Sequence, residues 1–124
     1  MASIGVDIVE IERVESATKR WGERFLNRIY TKTELEACQD RFSSLATRFA
    51  AKEAVMKVLG TGTRGIGWHE IEILTGDDGS PSVKLYRRAL NKAEELNLKE
   101  VAVSLSDSKQ YAIAVAIGMK SPLF

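Results

Sequence analysis

The side chains best suited to chemistry lie in the segment 41–64, where five basic residues accompany a single acid, Glu53. Such a local excess of positive charge fits a ligand that carries several negative charges, such as a polyphosphate. Within it, Arg48 offers a planar fork that matches phosphate oxygens, and Lys52 offers a compact charge. A solvated helix face explains the same count, and most charge runs are of that kind.

Residues 44–59 have the spacing of a helix that is apolar over much of its circumference, and Ser43 or Ser44 can cap its start. Such a helix belongs in a core. Arg48 and Lys52 share one face of it. A second face carries Ala46, Phe49, Ala50, Glu53 and Lys57.

Two explanations fit the charges of this helix. Glu53 and Lys57 have the i,i+4 spacing of a simple surface ion pair. Arg48 and Lys52, at the same spacing, repel each other, and a bound anion would make that repulsion tolerable. The glycine-rich loop 60–67 follows, and its backbone N–H groups are open to close approach by a ligand.

A second acid of interest, Asp7, lies near the end of an N-terminal strand pattern. It can cap the helix that follows. Alternatively, it can share a hard cation with Glu53, because magnesium takes one or two protein carboxylates and fills its remaining positions with water and phosphate. The sequence leaves open whether the two carboxylates meet.

Composition excludes several other classes of protein. The chain has 124 residues and a net charge of +1, which fits one domain over 1–124 and argues against a general nucleic-acid binder. One cysteine, Cys38, and one histidine, His69, exclude an internal disulfide and a zinc site rich in these residues. We find no membrane span and no signal peptide, and we therefore expect a cytoplasmic protein.

The order of elements that must position these residues predicts the α+β class, with an antiparallel sheet packed against helices in a single domain. Alternating patterns predict the strands and 3.6-residue periodicity predicts the helices. The strands are expected at 2–9, 70–74, 83–86, 100–106 and 111–118, and the helices at 10–20, 23–30, a start at Thr31 or Thr33, 44–59 and 87–96.

Three stretches of the sequence carry a resemblance to a known family. They are GVDIVEIER at 5–13, RFAAKEAVMK at 48–57 followed by GTG at 60–62, and VSLSDS at 103–108 followed by YA at 111–112. In this order and spacing, over nearly the whole chain, they resemble the holo-[acyl-carrier-protein] synthases, the small class of 4′-phosphopantetheinyl transferases. The resemblance implies the fold of that family and a magnesium-dependent role in fatty acid biosynthesis.

The reaction that the resemblance implies moves 4′-phosphopantetheine from coenzyme A to a serine of apo acyl carrier protein and releases adenosine 3′,5′-bisphosphate. The family pattern implies that Asp7 and Glu53 hold Mg²⁺ and that Lys57 approaches the attacked phosphate. Either Glu53 or a metal-bound water could serve as the general base. The implied coenzyme A contacts are Arg48, Lys57, Gly60, Thr61, Gly62 and, less strictly, the turn before Pro81.

Further implications concern partners. Arg13 and Arg24 match basic positions that dock the acidic carrier protein, and Phe25 belongs to the same apolar and basic patch. That patch has the alternative of a packing contact between two short helices. The family is usually a homotrimer with coenzyme A bound between neighbours, and the alternating apolar strands of the last hairpin are suited to such an interface.

One departure from the family is Asp107, where many members carry a histidine. An acid there cannot act as a cation on a phosphate, and a hairpin turn alone explains it. Two other functions stay open at this point. One is a non-catalytic nucleotide- or RNA-binding module that uses the stretch 48–57, and the other is a structural subunit that lost activity through Asp107.

Overall fold

The computed structural model describes residues 2–62 and 64–120 and has the predicted α+β architecture. The elements in these ranges are β1 (Ala2–Glu10), α1 (Ile11–Trp21), α2 (Glu23–Ile29), α3 (Lys32–Cys38), α4 (Phe42–Leu59), a 3-10 turn (Trp68–Glu70), β2 (Ile71–Thr75), β3 (Pro81–Leu85), α5 (Arg87–Glu95), β4 (Leu98–Asp107) and β5 (Tyr111–Lys120). Among the described residues, no helix combines the length and apolar character needed to cross a bilayer.

The strands form two antiparallel sheets rather than one. A three-stranded sheet has the order β1-β5-β4, and a separate hairpin pairs β2 with β3. Because side chains alternate along a strand, one face of the larger sheet meets the core and the other faces outward. The outward face of β1 and β5 carries exposed apolar residues, namely Ile4, Val6, Ile8, Ile113, Ile117 and Met119.

The inward face of this sheet carries unusually small side chains opposite α4. Gly5 on β1 and Ala112, Ala114, Ala116 and Gly118 on β5 are all buried. A Cβ on Gly5 would overlap the carbonyl oxygen of Ala54 in α4, and one on Gly118 would meet Val58 Cγ1 at 2.7 Å. The helix therefore lies closer to the sheet than larger residues would allow.

The start of α4 differs from the prediction that Ser43 or Ser44 caps it. The helix begins at Phe42, after Arg41, and the cap residue makes no side-chain cap hydrogen bond. Ser44 lies within the first turn, where its hydroxyl accepts a hydrogen bond from Arg41 Nε at 3.3 Å. The predicted start at Thr31 is confirmed: its hydroxyl accepts from the Glu34 N–H, and the Glu34 carboxylate accepts from the Thr31 N–H.

We predict that Gly5→Ala lowers the free energy of unfolding by about 1–3 kcal/mol, because the new methyl group forces α4 away from β1. Urea denaturation measures this loss. The matched control is Gly76→Ala, in an exposed turn where the nearest atom is the Asp78 carboxylate at 3.2 Å, and we expect a change within about 0.5 kcal/mol. Equal stability of Gly5→Ala and the wild type would show that close packing at this point is dispensable.

Candidate active site

Asp7 and Glu53 line the same cavity, which has a volume of about 390 Å³. Asp7 lies on the inward-facing side of β1 near its end, and Glu53 projects from α4 one turn after Phe49. The remaining lining is largely apolar. The full lining is Asp7, Ile8, Val9, Arg13, Val14, Ala17, Phe25, Phe49, Glu53 and Trp68.

The environment of Glu53 favours its neutral form. Burial raises the pKa of its carboxyl group above the ordinary value, and the negative charge of Asp7 raises it further. The charges of Lys57 and Arg13 lower it in part. Two carboxylates that repel each other in a partly buried cavity are a donor set that a hard divalent cation would stabilise. Asp7 and Glu53 therefore fit the magnesium ligands implied by the resemblance.

Lys57 pairs with Asp7 rather than with its helical neighbour Glu53. Its ammonium group lies 3.1 Å from Asp7 Oδ1 and donates to the carbonyl oxygen of Val6 at 2.7 Å. The side chain of Lys57 is 54% exposed and that of Asp7 14%. Two simpler explanations from the sequence are therefore wrong. Asp7 does not cap the next helix, because α1 begins after Glu10 without a side-chain cap hydrogen bond. Lys57 does not pair with Glu53, because it donates to Asp7.

Arg48 lies in a second cavity, of about 310 Å³, together with Gly79, Pro81, Ser106 and Asp107. Its two terminal nitrogens donate to the hydroxyl groups of Thr47 at 3.1 Å and Thr75 at 3.0 Å. Its Nε is buried and has no hydrogen-bond partner among the described residues. Each terminal nitrogen has a second N–H, so the guanidinium group keeps donors for an anion.

The anion-binding interpretation of Lys52 is wrong. Lys52 is fully buried and forms an ion pair with Glu34, with 2.8 Å between Nζ and Oε1. Sequence spacing predicted that Lys52 shares a face of the helix with Arg48. Because α4 is packed on several sides, Lys52 is buried there, and Glu34 supplies the opposite charge that it needs. The partner comes from α3, and no local pattern reveals it.

The glycine loop begins where α4 ends. Gly60 closes the helix with a φ of +75°, a conformation that glycine adopts without steric cost. Thr61 lines a third cavity together with Arg64, Arg88 and Lys92. Thr63 lies outside the described residues. The loop is therefore close in sequence to Lys57 and is bordered by further basic side chains.

Two of the three residues expected to dock a carrier protein line the first cavity, and the third, Arg24, lines another cavity. Arg13 and Phe25 line the first cavity, and Phe25 also borders a shallow cavity with Trp21, Arg24 and Arg28. Trp21 is 52% exposed, so it does not serve as a buried packing contact between the short helices. The structure thus favours an exposed basic and aromatic patch that adjoins the carboxylate pair.

Sequence reasoning missed Trp68 as a site residue. Its ring stacks on Phe49, with centroids 5.1 Å apart and planes at 25°, and both rings line the cavity of Asp7 and Glu53. The two rings are 19 positions apart in the sequence, on either side of the glycine loop, so no periodic pattern in the sequence predicts their contact. A tryptophan directly after a glycine-rich loop was the only signal available.

The two residues considered for metal or thiol chemistry lie away from this cavity. Cys38 is fully buried, and burial raises the pKa of its thiol, which disfavours a reactive thiolate. His69 is exposed on the 3-10 turn. Within the part of the chain that the structure describes, no group of three or more His, Cys, Asp or Glu residues is arranged to hold a metal.

Comparisons with known proteins identify the family of this chain. Residues 3–116 match the family model of the 4′-phosphopantetheinyl transferase superfamily. The chain is 52% identical over 117 residues to a holo-[acyl-carrier-protein] synthase of Dehalococcoides mccartyi, covering 94% of this chain and 98% of that protein.

Solved structures agree in fold as well as in sequence. Holo-[acyl-carrier-protein] synthase of Helicobacter pylori in complex with coenzyme A matches with a TM-score of 0.85 and 34% identity, over 93% of this chain and 98% of that one. The Bacillus anthracis holo-(acyl-carrier-protein) synthase, in complex with CoA (3′,5′-ADP), matches with a TM-score of 0.78 and 30% identity over 96% of each chain. The chain therefore belongs to the 4′-phosphopantetheinyl transferase superfamily and is a transferase enzyme.

Proposed function

We propose that this enzyme transfers 4′-phosphopantetheine from coenzyme A to a serine hydroxyl of an apo acyl carrier protein, with Mg²⁺, and releases adenosine 3′,5′-bisphosphate. The observation that carries the proposal is the meeting of Asp7 and Glu53 at one cavity, with Lys57 paired to Asp7 at 3.1 Å. The names of the relatives, and the coenzyme A complexes among the matching structures, support the choice of both substrates. The proposed setting is fatty acid biosynthesis in the cytoplasm.

In this proposal Asp7 and Glu53 would hold the metal ion at the cavity that they line. When bound, magnesium neutralises phosphate charge, which is the main requirement of phosphoryl transfer. Burial raises the pKa of Glu53, the negative charge of Asp7 raises it further, and a bound cation would offset the repulsion between the two carboxylates. Metal binding requires both carboxylates to be ionised, so it would reverse that shift.

The chain's own cations complete the charge balance. Lys57 is fixed by two acceptors, Asp7 Oδ1 and the Val6 carbonyl oxygen, which leaves one of its three N–H donors for a phosphate oxygen. Held in this way, it can stabilise negative charge as the serine oxygen attacks phosphorus and the bond to the leaving bisphosphate breaks. The serine comes from the carrier protein, so the enzyme itself needs no nucleophile.

We further propose that the enzyme is a homotrimer in which coenzyme A lies between neighbouring chains. Within one chain, Arg48 and Pro81 line a different cavity from Asp7 and Glu53, so the proposed coenzyme A contacts are divided between two surfaces. The outward sheet face, with Ile4 69% exposed, is suited to bury itself against another copy. Cyclic assembly would bring the two cavities of different chains together.

The two other functions considered from the sequence have less support. A nucleotide- or RNA-binding module would present aromatic rings for stacking, whereas Phe49, the aromatic residue within the basic stretch, packs against Trp68. Loss of activity through Asp107 would require that position to be essential. The hairpin turn between β4 and β5, which follows Asp107, is enough to explain an acid at this position.

The transfer reaction is tested by intact-protein mass spectrometry of an apo acyl carrier protein incubated with the enzyme, coenzyme A and Mg²⁺. We expect a mass increase of one phosphopantetheine that a chelator abolishes. Asp7→Asn and Glu53→Gln should each lower the rate on the order of 100- to 1,000-fold, because each removes charge that stabilises the metal and phosphates. Wild-type rates in either variant would contradict the metal assignment, and the absence of any transfer would contradict the proposed function.

A second prediction concerns docking of the carrier protein. Arg13→Ala should raise the KM for carrier protein roughly tenfold, or about 1.4 kcal/mol, and leave the KM for coenzyme A nearly unchanged. Lys19→Ala is the matched control, because Lys19 is a basic residue of the same helix that pairs with Glu15 at 2.7 Å. Steady-state kinetics with each substrate varied in turn measure both constants. A larger effect on coenzyme A would remove Arg13 from the docking surface.

A third prediction concerns assembly. Ile117→Lys places a charge on the outward sheet face opposite Ile4 and should convert trimers to monomers with loss of transfer. Leu90→Lys is the control, since Leu90 is an exposed apolar residue of α5, outside that sheet. Light scattering after size-exclusion chromatography reports the mass. A monomeric wild type, or a trimeric Ile117→Lys variant, would contradict the proposed interface.

A further inference from the structure

Lys52 uses every hydrogen-bond donor that it has. Its ammonium group contacts Glu34 Oε1 at 2.8 Å, the carbonyl oxygen of Trp68 at 2.8 Å and the carbonyl oxygen of Ile71 at 2.7 Å. A lysine ammonium has three N–H donors, so the group is fully satisfied. Burial lowers the pKa of Lys52, and the Glu34 carboxylate opposes that shift. The charged form is therefore held by its contacts and not by solvent.

The counter-ion of Lys52 is itself fixed from two other directions. Glu34 Oε1 also accepts from the N–H of Thr31, and Oε2 accepts from the N–H of Ile73 at 2.7 Å. Thr31 in turn donates its hydroxyl to Glu72, which also accepts from the hydroxyl of Tyr86. The network thus joins α3, α4 and the β2–β3 hairpin through buried polar contacts.

One carbonyl group held by Lys52 belongs to Trp68, the first residue of the 3-10 turn Trp68–Glu70, and the other belongs to Ile71, which follows the turn. Near the end of the turn a second buried carboxylate, Glu70, accepts from the N–H of Gly67 at 2.8 Å and pairs with Arg88 at 2.6 Å. The turn is therefore tied to α4 through Lys52 and to α5 through Arg88. It follows the glycine loop directly, so these ties also fix where that loop ends.

The side chain of Trp68 then has a defined place on the cavity wall. With its carbonyl group held by Lys52 of α4, its ring stacks on Phe49, which precedes Lys52 by three residues on the same helix. Phe49 is followed one turn later by Glu53. One helix thus carries the carboxylate, the ring that borders it and the cation that secures the second ring.

From this geometry we infer that Lys52, with Glu34 as its counter-ion, is a positioning residue for the transfer reaction: it holds Trp68 against Phe49 and so fixes the aromatic wall beside Asp7 and Glu53. The inference rests on the proposed function. It assigns Lys52 no contact with coenzyme A or with the metal. Its effect reaches the reacting groups only through the turn and the two stacked rings.

Stability alone does not explain a buried lysine at this position. Replacing a buried ion pair by apolar residues of similar size is often neutral or stabilising, because desolvation of two charges offsets their attraction. An apolar side chain, however, donates no hydrogen bonds to the carbonyl groups of Trp68 and Ile71. What the lysine adds is a fixed distance between α4 and the turn, and a reacting geometry is sensitive to displacements of about 1 Å.

The test uses the double variant Lys52→Met/Glu34→Gln, which removes both buried charges together and keeps the side-chain volumes similar. For the emission measurement the proteins also carry Trp21→Phe, so that Trp68 is the one remaining tryptophan of the sequence, and kcat is measured in proteins that keep Trp21. The matched control is Val58→Ala, which removes buried volume from the sheet side of α4, near Gly118. Thermal denaturation of each variant establishes the loss of stability against which the other measurements are compared.

Two measurements decide the inference. We expect the double variant to shift Trp68 emission to longer wavelength with stronger acrylamide quenching, and kcat to fall roughly ten- to a hundredfold with little change in the KM for coenzyme A. Val58→Ala should leave emission and kcat near wild type. Unchanged Trp68 emission, unchanged kcat, or an equal kcat loss in Val58→Ala would each overturn the inference.

A second variant covers the case in which the double variant does not fold. Phe49→Leu removes the stacking partner of Trp68 and leaves the ion pair intact, so the same change in emission and the same fall in kcat are expected. Wild-type kcat in Phe49→Leu would overturn the inference, because the wall would then have no effect on the reaction. Absence of transfer by the wild-type enzyme would instead count against the proposed function, since Trp68 emission reports wall geometry without turnover.

Discussion

The site depends above all on how closely α4 approaches the three-stranded sheet. Glycine and alanine on β1 and β5 bring backbone and Cβ atoms into contact, as the overlap between a Cβ on Gly5 and the Ala54 carbonyl oxygen shows. Close contact brings the end of β1 beside the middle of α4. Asp7 and Glu53 then line one cavity although they are 46 positions apart in the sequence. Wider spacing would separate the carboxylates that we propose as metal ligands.

The same packing sorts the cations of α4 into different roles. The side chain of Lys57 extends beyond the contact between α4 and the sheet, pairs with Asp7 and remains half exposed. Lys52, on the side facing α3 and the hairpin, lies where only a counter-ion and backbone carbonyl groups can satisfy it. Arg48 lies near the start of the helix, where two threonine hydroxyl groups hold it at the second cavity. One helix thus supplies a structural cation and two cations available to anions.

Much of this could be predicted from the sequence, and the failures share a cause. Alternation and helical periodicity are local signals, so the α+β class, the hairpins and the Thr31 helix start were predicted correctly. The partners of charged side chains are set by tertiary contacts. Spacing therefore suggested that Glu53 pairs with Lys57 and that Lys52 joins Arg48, whereas Asp7 and Glu34 are the partners found. The residue types at the site were predictable, but their pairing was not.

The division of the proposed coenzyme A contacts follows from the same architecture. Glu53 and Arg48 are five positions apart on α4, so their side chains project from different sides of the helix. Glu53 lines the first cavity and Arg48 lines the second. In the trimer that we propose, coenzyme A would contact both residues by lying between two copies of the chain. The exposed apolar face on β1 and β5 provides a reason for copies to associate, because its burial is favourable whether or not substrate is bound.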